Sequence, residues 1–494
     1  MTEVEIKLSL DPGLAPRLRR HPLLAGVKPV VRRLHSIYLD TPSWDLMRRG
    51  IAFRVRRMGR RWVQTLKAEA ASVGALTRRA EWEVDLPRGH HDLGRLPTEA
   101  LARLEGVDAA FIGPAFATDF RRTAWLVTLS GAEMEVALDL GEIRAGTRTQ
   151  SLAELEIELK SGPPGALFDL ALALLEQVPM GVEPRSKAAR GYVLAGAVAP
   201  APVKAIVPNL DRGLSASQAW AVLGGGALAQ AVANVPGFLA CPEDIEYLHQ
   251  LRVGLRRLHT MAGLAGGLGR AAPSWDAGLK AVMADLNGAR DWDVFMHETL
   301  SRLEAGLGDP PLSPALSRRL ERESAAARHQ AQAAVSRAAF TRLVLEIGRD
   351  LLDAPPGDVP LQVWAAACLE ERWARVLKRG KGYDRLDAAQ RHRLRIAAKR
   401  LRYTADVLGS AFTGTRGFLS RLGKLQDRLG AMQDNVVAGR LLAGLRSGSS
   451  AIQFDAGRLA GLLAADGAGR GSGGGRAWAA LARSRPFWRV KSRR

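Results

Sequence analysis

The chain has 494 residues, 47% of them hydrophobic, which is long enough for about three domains, though two larger ones fit its composition shift better, and permits large buried cores. Two cysteines, Cys241 and Cys368, argue against a disulfide scaffold and suit a reducing cytosol, and no charged-then-apolar secretion signal opens the chain. Lys and Arg total 71 against 50 Asp and Glu, and the resulting charge of +21 implies an anionic partner.

The first segment, Met1-Thr2-Glu3-Val4-Glu5-Ile6-Lys7, reads as a strand. Alternate strand residues share a face, so Glu3, Glu5 and Lys7 project together. Two acids can hold a divalent cation while the amine meets an anion that the cation also touches. On its own, Glu-x-Glu-x-Lys also fits a solvated strand face. The pattern recurs, however: Arg54 and Arg56 alternate, Lys67 closes the strand Trp62–Lys67, and Arg79, Glu81 and Glu83 alternate in turn. Glu154, Glu156 and Glu158 do the same between Leu155, Ile157 and Leu159. Rows of like charge on neighbouring strands repel. A closed barrel whose interior holds metal and phosphate turns that repulsion into binding energy. Turn signals at Asp40-Thr41-Pro42, Met58-Gly59-Arg60 and Leu86-Pro87-Arg88-Gly89 fit several short strands and closure.

These residues carry a resemblance. Glu3-x-Glu5-x-Lys7, Tyr38-Leu39-Asp40-Thr41-Pro42, Arg54-x-Arg56, Ala137-Leu138-Asp139-x-Gly141-Glu142 and Glu154-x-Glu156-x-Glu158 resemble the CYTH, or triphosphate tunnel metalloenzyme, superfamily. Ser186-Lys187-Ala188-Ala189-Arg190-Gly191-Tyr192 is the most specific match, and the likeness covers roughly 1–195. It implies an antiparallel eight-stranded β-barrel, a tunnel that binds a triphosphate-bearing substrate with Mg²⁺ or Mn²⁺. By motif, Glu3, Glu5, Asp139, Glu154, Glu156 and Glu158 are the implied metal ligands. Lys7, Arg54, Arg56, Lys67, Arg122 and Lys187 are the implied phosphate binders, and Glu3, Glu5, Lys7, Arg54, Arg56 and Lys67 the catalytic set. Arg121 and Arg122 face opposite sides of a strand, so one alone can line the tunnel, and Arg122 is the choice. Hard oxygen ligands suit Mg²⁺ or Mn²⁺, and no Cys/His spacing points to zinc. The implied reaction is hydrolysis of inorganic triphosphate to diphosphate and phosphate. Within the same superfamily, thiamine triphosphatase and adenylyl cyclase are the rivals, and a non-catalytic polyphosphate-binding protein is the third reading.

Residues 196–209 are Pro/Ala-rich and read as a linker. The uncharged stretch Gly213–Pro242 reads as a buried bundle helix rather than a membrane span. Beyond the linker the pattern becomes helical and the charge changes. Residues 1–200 hold 28 Lys+Arg and 24 Asp+Glu, whereas the remainder carries a net +17. Leu248–Leu258 returns as Arg391–Leu401 at an offset of 143, which also links Arg290-Asp291 to Gln433-Asp434, Leu286 to Leu429 and Val294 to Val437. One offset held without a gap indicates duplication and two related helical bundles. His249, Arg252, Arg256 and His259 form one helical stripe, and His392, Arg395, Lys399 and Arg402 repeat it. Leu248, Leu251, Leu255 and Leu258 form the adjacent apolar stripe.

The paired segments resemble the CHAD domain, a helical module associated with polyphosphate binding, over roughly 210–445. The resemblance assigns His249, Arg252, Arg256, Arg257, His392, Arg395, Lys399, Arg400 and Arg402 to a basic groove for inorganic polyphosphate. Arg290 and Asp291 belong to its pattern, but Gln433 stands where the second copy needs an arginine; an Asp at a helix end that caps or pairs with the arginines is the quieter reading. Single-strand nucleic-acid binders interleave aromatics, and the near-pure His/Arg/Lys stripes, with Tyr247 and Tyr403 alone nearby, disfavour nucleic acid as partner. The expected organisation is α+β and multidomain: the barrel at 1–195, the linker, an all-α domain at 210–465 and a Gly-rich basic tail at 466–494. That tail, with Trp478, Phe487 and Trp488 among its arginines, reads as a flexible extension. The expected location is the cytoplasm, in association with polyphosphate granules.

Overall fold

In the structure, a computed structural model, residues 2–73, 76–205, 210, 213–352, 359–445, 449–470 and 473–489 are described. Eight long strands close on themselves: β1 (Thr2–Ser9), β2 (Val30–Asp40), β3 (Ile51–Met58), β4 (Arg61–Val73), β5 (Leu76–Leu86), β6 (Gly113–Leu129), β7 (Ala132–Ala145) and β8 (Arg148–Ser161). The order is β5-β4-β3-β2-β6-β7-β8-β1, and pairing of β1 with β5 completes the antiparallel barrel. The alternation expected from the sequence is inverted relative to an ordinary core. Charged residues point inward, while Ile6, Leu8, Leu155 and Ile157 on the opposite face are completely buried under the helix Gly165–Gln177. An apolar cover outside the barrel frees its lumen for charge.

Register places the inner residues side by side. Lys7 opposes Glu156, Glu5 opposes Glu158, Arg54 opposes Tyr38, Arg56 opposes Ser36, and Arg122 opposes Asp139. The helix Lys187–Ala195 packs on β6, β7 and β8. Ser186 caps it by accepting from the Ala189 amide at 3.0 Å, and Gly196 ends it in the left-handed region at φ 80°. Tyr38 stacks on Phe116 at 4.6 Å, and Tyr192 meets Phe116 edge-on at 5.0 Å. A Cβ at Gly191 would overlap the Phe116 ring, so Arg-Gly-Tyr is a packing requirement of this helix.

The chain divides into two compact units. The first comprises residues 1–205, 225–241 and 335–353, and the second 206–224, 242–334 and 354–494. In the first, the helix Ala338–Leu352 packs against Gly165–Gln177, with Gly348 facing Phe168 and Arg349 Nε 2.9 Å from Asp169 Oδ1. Part of the 196–209 segment is held: the Asn234 amide exchanges two 2.9 Å hydrogen bonds with the Val203 backbone. Residues 206–209 lie outside the described ones. The segment Ala216–Ala240 is long and apolar enough to cross a membrane by length and composition, and 61% of its apolar window is buried in the protein.

The second unit is helical. Ile245–Ala262 and Ala388–Leu408 carry the duplicated stripes, begun by Asp244 and by an Asp387–Gln390 capping box. Leu248, Leu251, Leu255 and Leu258 are all at most 1% exposed, which makes them the anchoring stripe. The tail departs from expectation. Residues 474–482 form a helix, Leu481 and Trp488 join the core around Trp373, Leu401 and Phe418, and Trp478 stacks on Tyr383 at 6.4 Å. Glu370 accepts from Trp488 Nε1 and Arg489 Nε, both at 2.9 Å. The aromatic burial outweighs the entropy of a free basic extension; residues 490–494 lie outside the described ones. Trp488→Ala should therefore lower the stability of the full chain by about 3–5 kcal/mol, read by calorimetry. A melting profile unchanged from wild type would mean that this docking contributes nothing.

Candidate functional site

Glu3, Glu5, Lys7, Arg54, Arg56, Lys67, Arg122, Glu156, Glu158 and Lys187 all line one cavity of about 540 Å³ inside the barrel. Asp139 and Glu154 lie behind its wall, fully buried. Lys187 Nζ reaches them both, at 2.7 Å from Asp139 Oδ2, and lies 2.9 Å from Glu156 Oε1. Arg122 grips Asp139 in a fork, at 2.8 and 2.6 Å, and also bonds Glu156. Arg121 is exposed on the outer face, as the strand alternation requires. On the opposite wall Lys67 holds both oxygens of Glu3 at 2.7 Å and lies 3.2 Å from Glu81. Lys7 is 3.2 Å from both Glu5 and Glu156, and Glu158 pairs with Lys160 at 2.7 Å. Arg79, Glu81 and Glu83 also line the cavity, and the two acids sit 3.8 Å from Arg54.

Electrostatics separate the groups. Burial opposes ionisation of Glu156, yet Lys187, Lys7 and Arg122 outweigh it and hold the carboxyl well below its ordinary range. Burial likewise works against the charged forms of Lys187 and Arg122, but their acid partners raise both above their usual values. Arg56 is the exception. Burial, Arg54 and Arg122 push it down to about 9, and it makes a 2.9 Å bond to the Ser36 hydroxyl. Among the described residues no carboxylate forms an ion pair with it. A buried guanidinium in that state favours an incoming anion. Oxygen atoms of Asp139, Glu154 and Glu156 come within 4.8 Å of one another. This all-oxygen acidic set fits a hard divalent cation.

In the helical unit the two stripes converge. Burial, then Arg395 and Arg256, push Lys399 down to about 8, with Arg252 adding to the effect. Burial and Arg256 push Arg252 down to about 10. Arg256 lies over the Tyr403 ring at 4.5 Å, and Arg252 donates to the Met283 carbonyl at 3.1 Å. Burial and Arg290 hold His249 below its ordinary value. His249, Arg252, Arg256, Arg395 and Lys399 thus form one cluster. Other residues of the expected groove turn to acidic partners or to solvent. Arg257 is buried with its charge toward Asp406, and Arg402 pairs with that same Asp406 at 2.9 Å. Arg400 is exposed beside Arg372, and His392 is exposed. His259 is tied to Asp276 at 2.8 Å. Successive helical residues are about 100° apart, so Arg257 cannot share a face with Arg256. Asp291 sits within the helix Asn287–Val294, not at its end, with Arg252 and Arg440 near its carboxyl. The Gln433 side chain lies outside the described residues.

A charged tunnel followed by a helical duplication corresponds to two known families. The CYTH domain model matches residues 1–192 and the CHAD domain model residues 224–443. The chain carries a CYTH domain followed by a CHAD domain. It is 32% identical over 201 residues to the inorganic triphosphatase of Haemophilus influenzae, a match taking in 39% of this chain and 55% of that protein. The chain thus spans about half the length of that curated relative. The crystal structure of the CHAD domain from the plant Ricinus communis shares 31% identity and a TM-score of 0.53, covering 58% of this chain and 98% of that one.

Within the CYTH domain two buried groups escaped the sequence reading. Arg190 bonds Glu154, and Glu183 lies beside Arg190 while holding Arg185 through two 2.9 Å bonds. Lys187 and Arg190 stand three apart on one helix, which was the available signal. Asp40 of the Asp-Thr-Pro motif is structural: it accepts the Thr41, Leu46 and Met47 amides at 2.7–3.0 Å and fixes the turn after β2. Arg190 orients Glu154 from behind, so Arg190→Gln should weaken Mn²⁺ binding about 10- to 100-fold, measured by calorimetric titration. Unchanged affinity would make Arg190 a packing residue.

Proposed function

We propose that the CYTH domain hydrolyses inorganic triphosphate to diphosphate and phosphate with Mg²⁺ or Mn²⁺, and that the CHAD domain binds inorganic polyphosphate. The observation that carries the first half is the tunnel wall, where buried Arg56 forms no ion pair among the described residues while Lys187 and Arg122 are held by Asp139, Glu154 and Glu156. Along the tunnel wall these cations and acids neutralise one another. Phosphate oxygens of the substrate can replace the acids as partners of Lys187 and Arg122. Asp139, Glu154 and Glu156 would hold the cation, which supplies charge neutralisation at the phosphate oxygens. Lys187 and Arg122, released from their acids, then join Arg54, Arg56 and Lys67 in holding phosphates.

Several cations fixed around one cavity orient the chain for in-line attack by water and stabilise charge on the departing diphosphate. No nucleophilic side chain is required. In the CHAD domain the reading rests on Lys399, Arg252, Arg256 and Arg395, four crowded cations with no ion pair among the described residues.

The test is purified full-length protein with triphosphate, ATP, thiamine triphosphate and long-chain polyphosphate, with and without Mg²⁺ or Mn²⁺. Equimolar phosphate and diphosphate from triphosphate is the expected product pair, dependent on metal. Intact triphosphate with either metal, or cyclic AMP from ATP, would overturn the reading.

A further inference from the structure

A second cavity, of about 730 Å³, lies beside the mouth of the tunnel. Arg32, Met58 and Arg61 line both spaces, so the two meet at the ends of β2, β3 and β4. The rest of its wall includes Arg33, His35 and Arg57, and no carboxylate is among the described residues that line it. Two of the four arginines are neutralised from outside: Arg33 by Asp119, at 3.0 and 3.1 Å, and Arg61 by Asp85. Arg32 and Arg57 form no ion pair among the described residues. Arg57 is nonetheless held in place, its Nε donating to the Gly59 carbonyl at 3.0 Å and its guanidinium 5.7 Å over the Trp62 ring. A pre-positioned, unneutralised guanidinium beside an open cavity is suited to an anion. Arg32 opposes Arg122 across β2 and β6, so positive charge continues from the tunnel wall to the rim.

We propose that this rim is an outer phosphate-binding site, which takes the additional phosphates of a condensed inorganic chain longer than triphosphate while the terminal units occupy the tunnel. The inference rests on the triphosphatase reading and extends it to substrate length. Arg57 follows the inward Arg56 and so faces outward, while Arg32 faces the tunnel, and guanidinium groups on both sides of the barrel edge match a ligand whose every unit is the same anion. A nucleoside would need an aromatic or hydrogen-bonding pocket, and among the described residues lining the rim the one ring is the His35 imidazole, set among arginines.

The test compares triphosphate, tetraphosphate, medium-chain polyphosphate and ATP as substrates of the full chain. Arg57→Gln is made in an Arg252→Ala/Arg395→Ala background, so that capture by the helical cluster does not mask the rim. Arg57 is exposed, and its replacement loses only its contacts with the Gly59 carbonyl and the Trp62 ring. KM for tetraphosphate and longer chains should rise about 3- to 10-fold, the scale of one well-placed ionic contact, with the effect shrinking at high salt. Triphosphate kinetics should stay unchanged, and Arg57→Lys should recover part of the loss. Cleavage of triphosphate with equal KM shifts for every chain length, with no shift for any, or with a shift confined to ATP, overturns the rim site alone. Failure of the parent protein to cleave triphosphate removes the hydrolase reading and this inference together.

Discussion

Asp139→Asn should reduce triphosphate hydrolysis by roughly 10²- to 10³-fold or more at saturating metal, the scale of losing one preorganised charge contact in a site. The substitution is nearly isosteric, so the carboxylate's charge is what changes. Asp139 is completely buried and takes a two-pronged contact from Arg122 as well as Lys187 at 2.7 Å. Its neutralisation removes one oxygen charge from the candidate cation site and leaves two buried cations short of a partner. Leaving such a charge uncompensated typically costs about 3–5 kcal/mol, so the melting temperature should fall as well. Added triphosphate should restore part of that stability, because its oxygens replace the missing carboxylate. Polyphosphate affinity of the CHAD domain should be untouched. Full activity in this variant would remove Asp139 from the chemistry, and parallel loss of polyphosphate binding with folding intact would contradict two independent sites.

The inner wall of the tunnel was legible because strand periodicity is short and strict. Glu3, Glu5 and Lys7 must share a face once β1 is a strand, and the same holds for Arg54 with Arg56 and for Glu154, Glu156 and Glu158. The choice of Arg122 over Arg121 depended on register, which the pairing of Arg122 with Asp139 supplies. The partners of Arg190 and Glu183 were not legible, because what Arg190 meets depends on where its helix docks, and Glu183 lies in the segment that leads into that helix. The seat of Lys187–Ala195 is set by the Tyr38, Phe116 and Tyr192 rings, residues far apart in sequence.

The helical unit shows the opposite limit. The stripe His249, Arg252, Arg256 follows helical spacing and stays together, whereas Arg402, placed by the same spacing, and Arg257 and Arg400, assigned by the resemblance, turn elsewhere. Trp488 was misread for a related reason. Its partners Glu370 and Phe418 lie some 70 to 118 positions earlier, so local pattern reports the basic residues and hides the docking. Three large aromatics at 478, 487 and 488 were the signal that the segment had an apolar surface to cover.

Replacing Arg252, Arg256 and Arg395 by Ala should weaken polyphosphate binding about 10²-fold or more near physiological salt, because each cation contributes an ionic contact and releases a counterion. The slope of log affinity against log salt should flatten with each cation removed. Triphosphate turnover in the tunnel should continue at its normal rate. A more specific expectation comes from Lys399, which burial and the neighbouring Arg395, Arg256 and Arg252 push down to about 8.

A polyanion among these groups offsets their repulsion and raises the lysine back toward its ordinary range. Binding then takes up protons near pH 8, and affinity falls as pH rises from about 8 upward, where the free lysine is neutral and must be charged to bind. Around pH 7 most of the Lys399 population is charged in both states, and this proton uptake fades. His249, held below its ordinary value by burial and Arg290, acts at lower pH, so affinity should climb again as the solution is made more acid. Titration calorimetry in buffers of different ionisation enthalpy measures the protons directly. Lys399→Arg should abolish the uptake near pH 8 while keeping the charge. Uptake that persists in that variant, or affinity that stays flat from pH 7 to pH 9, would remove Lys399 from the binding surface.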